Sequence, residues 1–529
     1  MNIQAHGTQW VTVAVSLLLG IGLLTGTANA DVKTVKVDCV KGQTIAKALE
    51  REDERKPLIV IVQGTCNENV VMTRDDVTLQ GDAAAGGAVV GVDPAQATVQ
   101  IDGARRVVID NLTVSGGSDG ILVTRGATSD LRNCAVQGNG RIGVVVSYGA
   151  TATVDNCLIQ NNGGGGLAAA NSASLALTNS TVQGNTGFGV VGARNANVRV
   201  GQDLAGSAAL GPVVIRGNTG NGLVVTENSA GILVGSTVEN NGGTGVWVGR
   251  GSNASIGIGS LSAVGPNTIR GNAGNGIDVH QSSQALIHGN LIETHSGSGV
   301  RVEGSAATIT ANTIRGGRFG VGVWNGGNAH IGLTDAGTSA GNFIEQNTLD
   351  GVQLTAGSSA WLYGNTIQNN GVTTGRWGIL AFENSVVRMA GLNTVRSNGG
   401  GAAGGGVLVG DSSTLNSSRG DFAITPNNDD ISNNSGSAGI LAVDNSSVDL
   451  RDGTTVTNNS GQGIFLLHGS RLRMQQTTVS GNTGNAIQLT YASSARFLSP
   501  ASTIVGSIVC DDGESSITGI SLPSGCTGF

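Results

Sequence analysis

A chain of 529 residues would ordinarily divide into three or four globular domains, but 87 glycines beside only 12% charged residues exclude an ordinary globular composition and point to a repeat protein. Hydrophobic residues make up 39% and recur in aliphatic triplets such as Ile121-Leu122-Val123 and Val144-Val145-Val146, which excludes a disordered chain. The formal charge of -7 excludes strong general attraction to nucleic acid or to anionic membranes, so a polyanion would need a local basic site.

The first thirty residues contain no Lys, Arg, Asp or Glu and run through an apolar stretch, Val11 to Leu24, into Ala28-Asn29-Ala30. This pattern predicts a signal peptide over 1–30, cleaved after Ala30, with a membrane anchor as the alternative. No later segment has eighteen uninterrupted apolar residues, so no membrane insertion is expected after cleavage, and the protein is expected to be secreted or periplasmic.

Residues 31–80 read as an N-terminal cap. Within Gln43 to Arg55, Ile45, Ala48 and Leu49 lie at helical spacing and suit a short amphipathic helix. The six cysteines group by spacing as Cys39 with Cys66, Cys134 with Cys157, and Cys510 with Cys526. Export favours disulfides in the first and last pairs. The absence of a CxxC motif argues against zinc.

Residues 81–500 carry the repeat. A glycine followed by three mostly aliphatic residues recurs from Gly120, Gly143 and Gly166 through Gly439 and Gly463, with Ala486 in the last slot, most often at a spacing of 23. The residue after each anchor is Ile, Val or Leu, and the residue two further on is aliphatic except at Gly192. Alternation of this kind predicts a short strand with both positions facing a core, stacked on its equivalent in the next coil. A second run, as in Thr153-Val154-Asp155-Asn156-Cys157, and a third, as in Ala135-Val136-Gln137, give three strands per coil, separated by turns rich in Asn and Gly. Insertions before Gly222, Gly276, Gly351 and Gly439 enter at one point of the unit and predict bulges along one edge. Residues 501–529 read as a C-terminal cap stapled by Cys510 and Cys526.

These residues resemble the right-handed parallel β-helix repeat proteins of the pectate-lyase-like superfamily. The likeness rests on the run from Asn156 to Gly166 and on the slot closing the second strand, filled by Asn290, Asn312 and Asn365. It implies an all-β, single-stranded right-handed parallel β-helix of about fifteen or more coils with a short N-terminal helical cap. It also implies an internal ladder of asparagine side chains in that slot. Cys134, Cys157 and Ser180 hold the same slot in early coils, which leaves the two cysteines as either an inter-coil bridge or two buried thiols. None of the superfamily's catalytic motifs maps onto this chain, so no catalytic residue is carried over.

Between the core-facing positions of the first strand one residue points outward. Down the stack this column is apolar before and after the middle coils, apart from Gln488 at its end, and in the middle coils it reads Trp247, Asp278, Arg301, Gly322 and Gln353. Two residues further along lie His280, Glu303 and Trp324, so Asp278, His280, Arg301 and Glu303 form a square on adjacent coils. As a catalytic set, Arg301 would bind a uronate carboxylate, His280 would abstract a proton, and Asp278 and Glu303 would serve as acid and base. Trp247 and Trp324 would stack on sugar rings, with Gln353 beside them. The structural alternative is a solvated sheet that places opposite charges side by side. His288 and His295 fall on different strands from His280, so no metal site is expected. No cofactor is implied, although calcium through Asn and Asp of the turns stays open.

Two functions fit. One is an exported protein that binds polysaccharide along this wall and, if an enzyme, acts as a polysaccharide lyase or glycoside hydrolase. The other is a noncatalytic, adhesin-like surface protein whose apolar outer stripe binds an envelope protein.

Overall fold

The unit that begins at Gly120 lays down three strands, Ile121–Thr124, Thr128–Arg132 and Ala135–Gln137, and the next unit repeats them as Ile142–Ser147, Thr151–Asp155 and Leu158–Gln160. Each strand pairs in parallel with its equivalent one coil on: Ile121 with Val144, Leu131 with Val154, Val136 with Ile159. The computed structural model describes residues 32–51, 56–207, 211–259, 264–333, 340–418, 428–521 and 526–528; the expected signal peptide, 1–30, lies outside them. Three walls of stacked strands result, and the architecture is a right-handed parallel β-helix. The first wall alone stacks eighteen strands, from Val70–Met72 to Ile508–Cys510.

Alternation places the core as the sequence requires. Ile121, Val123, Leu131 and Val136 of one coil are all fully buried, and each such side chain stabilises the stack by roughly 1.5–3 kcal/mol. The anchor glycine serves space, not backbone conformation. At Gly276 a β-carbon would come within 2.6 Å of Ile292 Cγ2 and 2.7 Å of His295 Nε2, because the third wall bends sharply into the first.

Each corner carries a buried polar ladder. Between the second and third walls, Asn267, Asn290, Asn312, Asn342, Asn365 and Asn393 stack, and each donates its backbone N–H and its amide Nδ2 to the Oδ1 of the next at 2.8–3.2 Å. Asp429, an acceptor without donors, receives both bonds from Asn393 at 3.0 and 2.8 Å. A second ladder, between the third and first walls, runs from Asn139 through Asn162, Asn185, Asn218 and Asn241 to Asn272, and again from Asn347 to Asn482. At the remaining corner serine hydroxyls accept backbone N–H groups, as Ser252 does from Ser229 and Ser413 from Ser385. These side chains satisfy backbone groups that the tight turns remove from the strand ladders.

Cys134 and Cys157 are buried free thiols, so the bridge considered for them is not formed. Their slot explains the state: the Cys134 N–H donates to Cys157 Sγ at 3.3 Å, and the thiols reach the carbonyls of Arg132 and Asp155 at 3.0 and 3.2 Å. They are rungs of the same ladder, continued by Ser180, whose hydroxyl accepts from the Cys157 N–H. The neighbouring thiol and burial push Cys157 above its ordinary range.

Parallel pairing runs past both ends of the 81–500 interval, from Lys33–Asp38 to Thr527–Gly528. A helix, Ile45–Arg51, is inserted after the first strand and buries Ile45 and Ala48; the Glu68 carboxylate accepts the N–H groups of Ile45 and Ala46. Disulfides join Cys39 to Cys66 and Cys510 to Cys526. The four insertions all enter between a second and a third strand, hence along one corner. No helix among the described residues is long and apolar enough to cross a membrane.

Replacing Asn365 by Ala removes its Nδ2 bonds to Ile331 O and Asn393 Oδ1 and orphans two donors of Asn342. The expected loss is roughly 3 kcal/mol. Chemical denaturation of Asn365→Ala against wild type measures it, and an unchanged midpoint would contradict the ladder's stabilising role.

Candidate functional site

Four strands of the first wall carry the polar island: Val246–Val248, Ile277–His280, Val300–Glu303 and Val321–Trp324. Ile277 and Val279 are fully buried in the core, so Asp278 and His280 point outward. The register sets Trp247 beside Asp278, Asp278 beside Arg301, His280 beside Glu303 and Glu303 beside Trp324. All seven residues singled out from the sequence therefore share one face, with Gln353 next to Gly322.

Their partners differ from a simple square. Arg301 reaches both carboxylates, with Nη1 3.3 Å from Asp278 Oδ2 and Nη2 bonded to Glu303 Oε2. Asn275 Nδ2 donates to the same Asp278 oxygen at 3.0 Å, and Asn325 Nδ2 donates to Glu303 Oε1 at 2.5 Å. His280 turns away and packs edge-on against Trp247, ring centres 4.5 Å apart. Gly249 makes that possible, since a β-carbon there would lie 2.7 Å from Trp247 and 2.8 Å from His280 Nε2. The Trp324 indole covers Gly322, lies 5.1 Å from the Arg301 guanidinium and donates Nε1–H to Gln353 Oε1 at 3.1 Å.

Four buried polar atoms here have no protein partner: Asp278 Oδ1, His280 Nε2, Arg301 Nε and Ser298 Oγ. Asp278 is 5% exposed, and leaving such a group unmatched costs about 1–3 kcal/mol. The partly exposed groups around them, Arg301, Glu303 and Gln353 beside two indoles, have the makings of a polar recognition surface.

The polar chain continues through residues that strand columns do not reveal. Gln353 Nε2 approaches Asp350 Oδ2 at 3.5 Å, Arg376 Nη2 donates to it at 2.9 Å, and the Trp377 N–H donates to Asp350 Oδ1 at 2.9 Å. Burial raises the Asp350 carboxyl above its ordinary range, against the opposing pull of these donors. Asp350 stands directly before an anchor glycine, as do Asp119, Asn221 and Asn275, each of which accepts a backbone N–H from the next coil. That recurring polar residue was the sequence signal for it.

The other histidines lie elsewhere. His288 ends a second-wall strand and bonds Thr310 at 2.9 Å. His295 occupies a rung of the ladder between the third and first walls, where Nδ1 accepts from Asn272 N–H at 3.3 Å and Nε2–H donates to Ile269 O at 3.0 Å. Burial lowers its pKa to about 4. The next rung is Gly317, so the ladder is interrupted in the coils that carry the island.

Fold and face together define a solenoid whose wall presents ion-paired and amide groups flanked by indoles. The chain belongs to the right handed beta helix region family, whose model matches residues 92–211, 262–423 and 424–500. Among solved structures it is similar to the periplasmic alginate epimerase AlgG, at 13% identity over 65% of this chain and 80% of that one, TM-score 0.38. It is also similar to pectate lyase Pel9A, at 14% identity over 55% and 78%, TM-score 0.35. A third similarity is to a chain of the Vag8–C1 inhibitor complex, at 14% identity over 92% and 99%, TM-score 0.45. No curated protein matches. None of these likenesses is close enough to carry a function across.

The lowered pKa of His295 fixes the sign of a pH effect. Between pH 6.5 and 4 the unfolded chain binds a proton there and the folded chain does not, so stability falls as pH drops through that window. The loss amounts to about 3 kcal/mol. His295→Asn restores an amide rung, and its denaturation midpoint should fall less than that of wild type between pH 7 and pH 4; equal falls would show that His295 is not the titrating group.

Proposed function

We propose that this is an exported protein that binds polysaccharide along the first wall, with the stripe from Trp247 to Gln353 as the contact face. The observation that carries this reading is the half-buried Arg301, Glu303 and Gln353 polar groups lying with His280 between the partly exposed indoles of Trp247 and Trp324. Sugar rings present apolar faces to indoles and hydroxyl edges that both donate and accept, which matches such a surface. Export is supported by the two disulfides, which persist in oxidising compartments.

Local charge bears on the type of chain. Arg301 is shared by two carboxylates, so the trio sums to one negative charge, and a uronate would meet a guanidinium already engaged. A neutral polysaccharide fits better. The same sharing favours holding a chain over cutting it, because both carboxylates are committed to Arg301 as acceptors.

Affinity electrophoresis through gels containing neutral glucans, mannans or polygalacturonate, with reducing and unsaturated ends assayed in parallel, tests the reading. Wild type should be retarded by a neutral chain without releasing ends, and Trp324→Ala should weaken retention about tenfold, roughly 1.4 kcal/mol. Leu441→Asp, on the apolar continuation of the column, should leave retention unchanged. Absence of retention in every gel would sink the reading, and loss of binding in Leu441→Asp instead of Trp324→Ala would favour the protein-binding alternative.

A further inference from the structure

We infer that the last coils of the second wall hold a separate anion-binding trough that takes an acidic glycan, carboxylated or sulfated. The strands Ser447–Leu450, Arg471–Met474, Ser494–Phe497 and Ser516–Thr518 stack here in register. Leu472, Met474, Ala495 and Phe497 face the core, which turns Arg471, Arg473 and Arg496 outward into a depression of about 700 Å³.

The argument is electrostatic. On the walls of this protein an arginine normally stacks on an acceptor one coil away: Arg216 on Gln183, Arg270 on Glu239, Arg301 on Asp278, Arg315 on Glu293, Arg396 on Gln368. Such neighbours stabilise a sheet, and like charges placed directly opposite destabilise it. Arg473 stands between Asp449 on one coil and Arg496 on the next, and the second of these neighbours is a like charge, unlike the pairs just named. Arg471 and Arg496 meet no carboxylate among the described residues. Arg473 reaches Asp449 Oδ2 only at 3.8 Å, and that carboxylate is already held by both Arg451 Nε and Nη2. Against three guanidiniums the trough is lined by one acid, Glu514.

In a chain of net charge -7, two arginines without a carboxylate and a third that shares Asp449 with Arg451 leave this face with an excess of positive charge that suits an external anion. Guanidinium forks match carboxylate and sulfate oxygens two at a time. Arg473 and Arg496 are one coil apart, roughly 4.8 Å, so they meet anionic groups carried in sequence along an extended chain. The remaining lining, including Asn445, Ser447, Ser494 and Ser516, offers hydroxyl and amide groups suited to sugar hydroxyls. No aromatic ring among the described residues lines the trough for a nucleobase to stack upon, which favours a glycan over a single-stranded nucleic acid.

The trough is independent of the first-wall stripe, and the experiment keeps them apart. Binding of dextran sulfate, polygalacturonate, unmodified dextran and oligothymidylate to the full chain is measured by calorimetry at low and moderate salt. Wild type should bind the two acidic glycans in a salt-sensitive manner, and Arg473→Gln/Arg496→Gln should weaken both at least tenfold with an unchanged melting curve. Arg270→Gln, which alters a paired arginine on the third wall, and Trp324→Ala should leave acidic-glycan binding intact. The proposal is overturned by any of three results: no acidic glycan binds wild type, the double variant binds as wild type does, or oligothymidylate is held at least as tightly as the glycans.

Discussion

A backbone that turns three corners in every coil, with its core on the inside, strands peptide groups where no neighbouring strand can reach them. Buried side chains that repeat coil after coil answer this constraint, and most other features follow from it. Asparagine suits two corners because one amide both accepts from the preceding rung and donates onward. The anchor glycines follow in turn: beside Asn347, a β-carbon on Gly320 would come within 2.9 Å of the amide nitrogen. The repeat motif is thus the imprint of corner packing as much as of strand pairing.

The walls were legible in the sequence because a period of two and a unit of 23 fix which residues share a column. Asp278, Arg301 and Gln353 stand where that counting puts them, and Cys134 and Cys157 fall in the rung expected of them. The ladder that precedes the anchor glycines was harder to see, since asparagine is also favoured in left-handed turns such as Asn133 and Asn156. Partner choice was not legible at all. Whether His280 meets Glu303 or Trp247 depends on the space left by Gly249, and whether Arg301 serves one acid or two depends on rotamers that spacing does not encode.

Charge placement links the two proposed surfaces. The third wall carries glutamine and alternating arginine and glutamate in one column, from Gln137 through Arg216, Glu239, Arg270, Glu293 and Arg315, and it consumes its own charge. Against that background, the first-wall island beside its indoles and the second-wall cluster of Arg471, Arg473 and Arg496, which has fewer acids than arginines, stand out. One presents ion-paired and amide groups beside indoles, the other an excess of cations. They differ in what they offer, and so in what they can hold.

The direction of the rungs has a kinetic meaning. Every asparagine of this ladder gives its backbone N–H and one amide proton to the next rung and its other amide proton to a carbonyl of the coil before, and Asp429, whose carboxylate only accepts, closes the series. A partly built stack therefore always ends on donors awaiting the coil not yet laid down. Growth from the amino end keeps one adhesive edge at the advancing tip, so each coil is the template for the next, and any pause leaves that edge open to foreign strands.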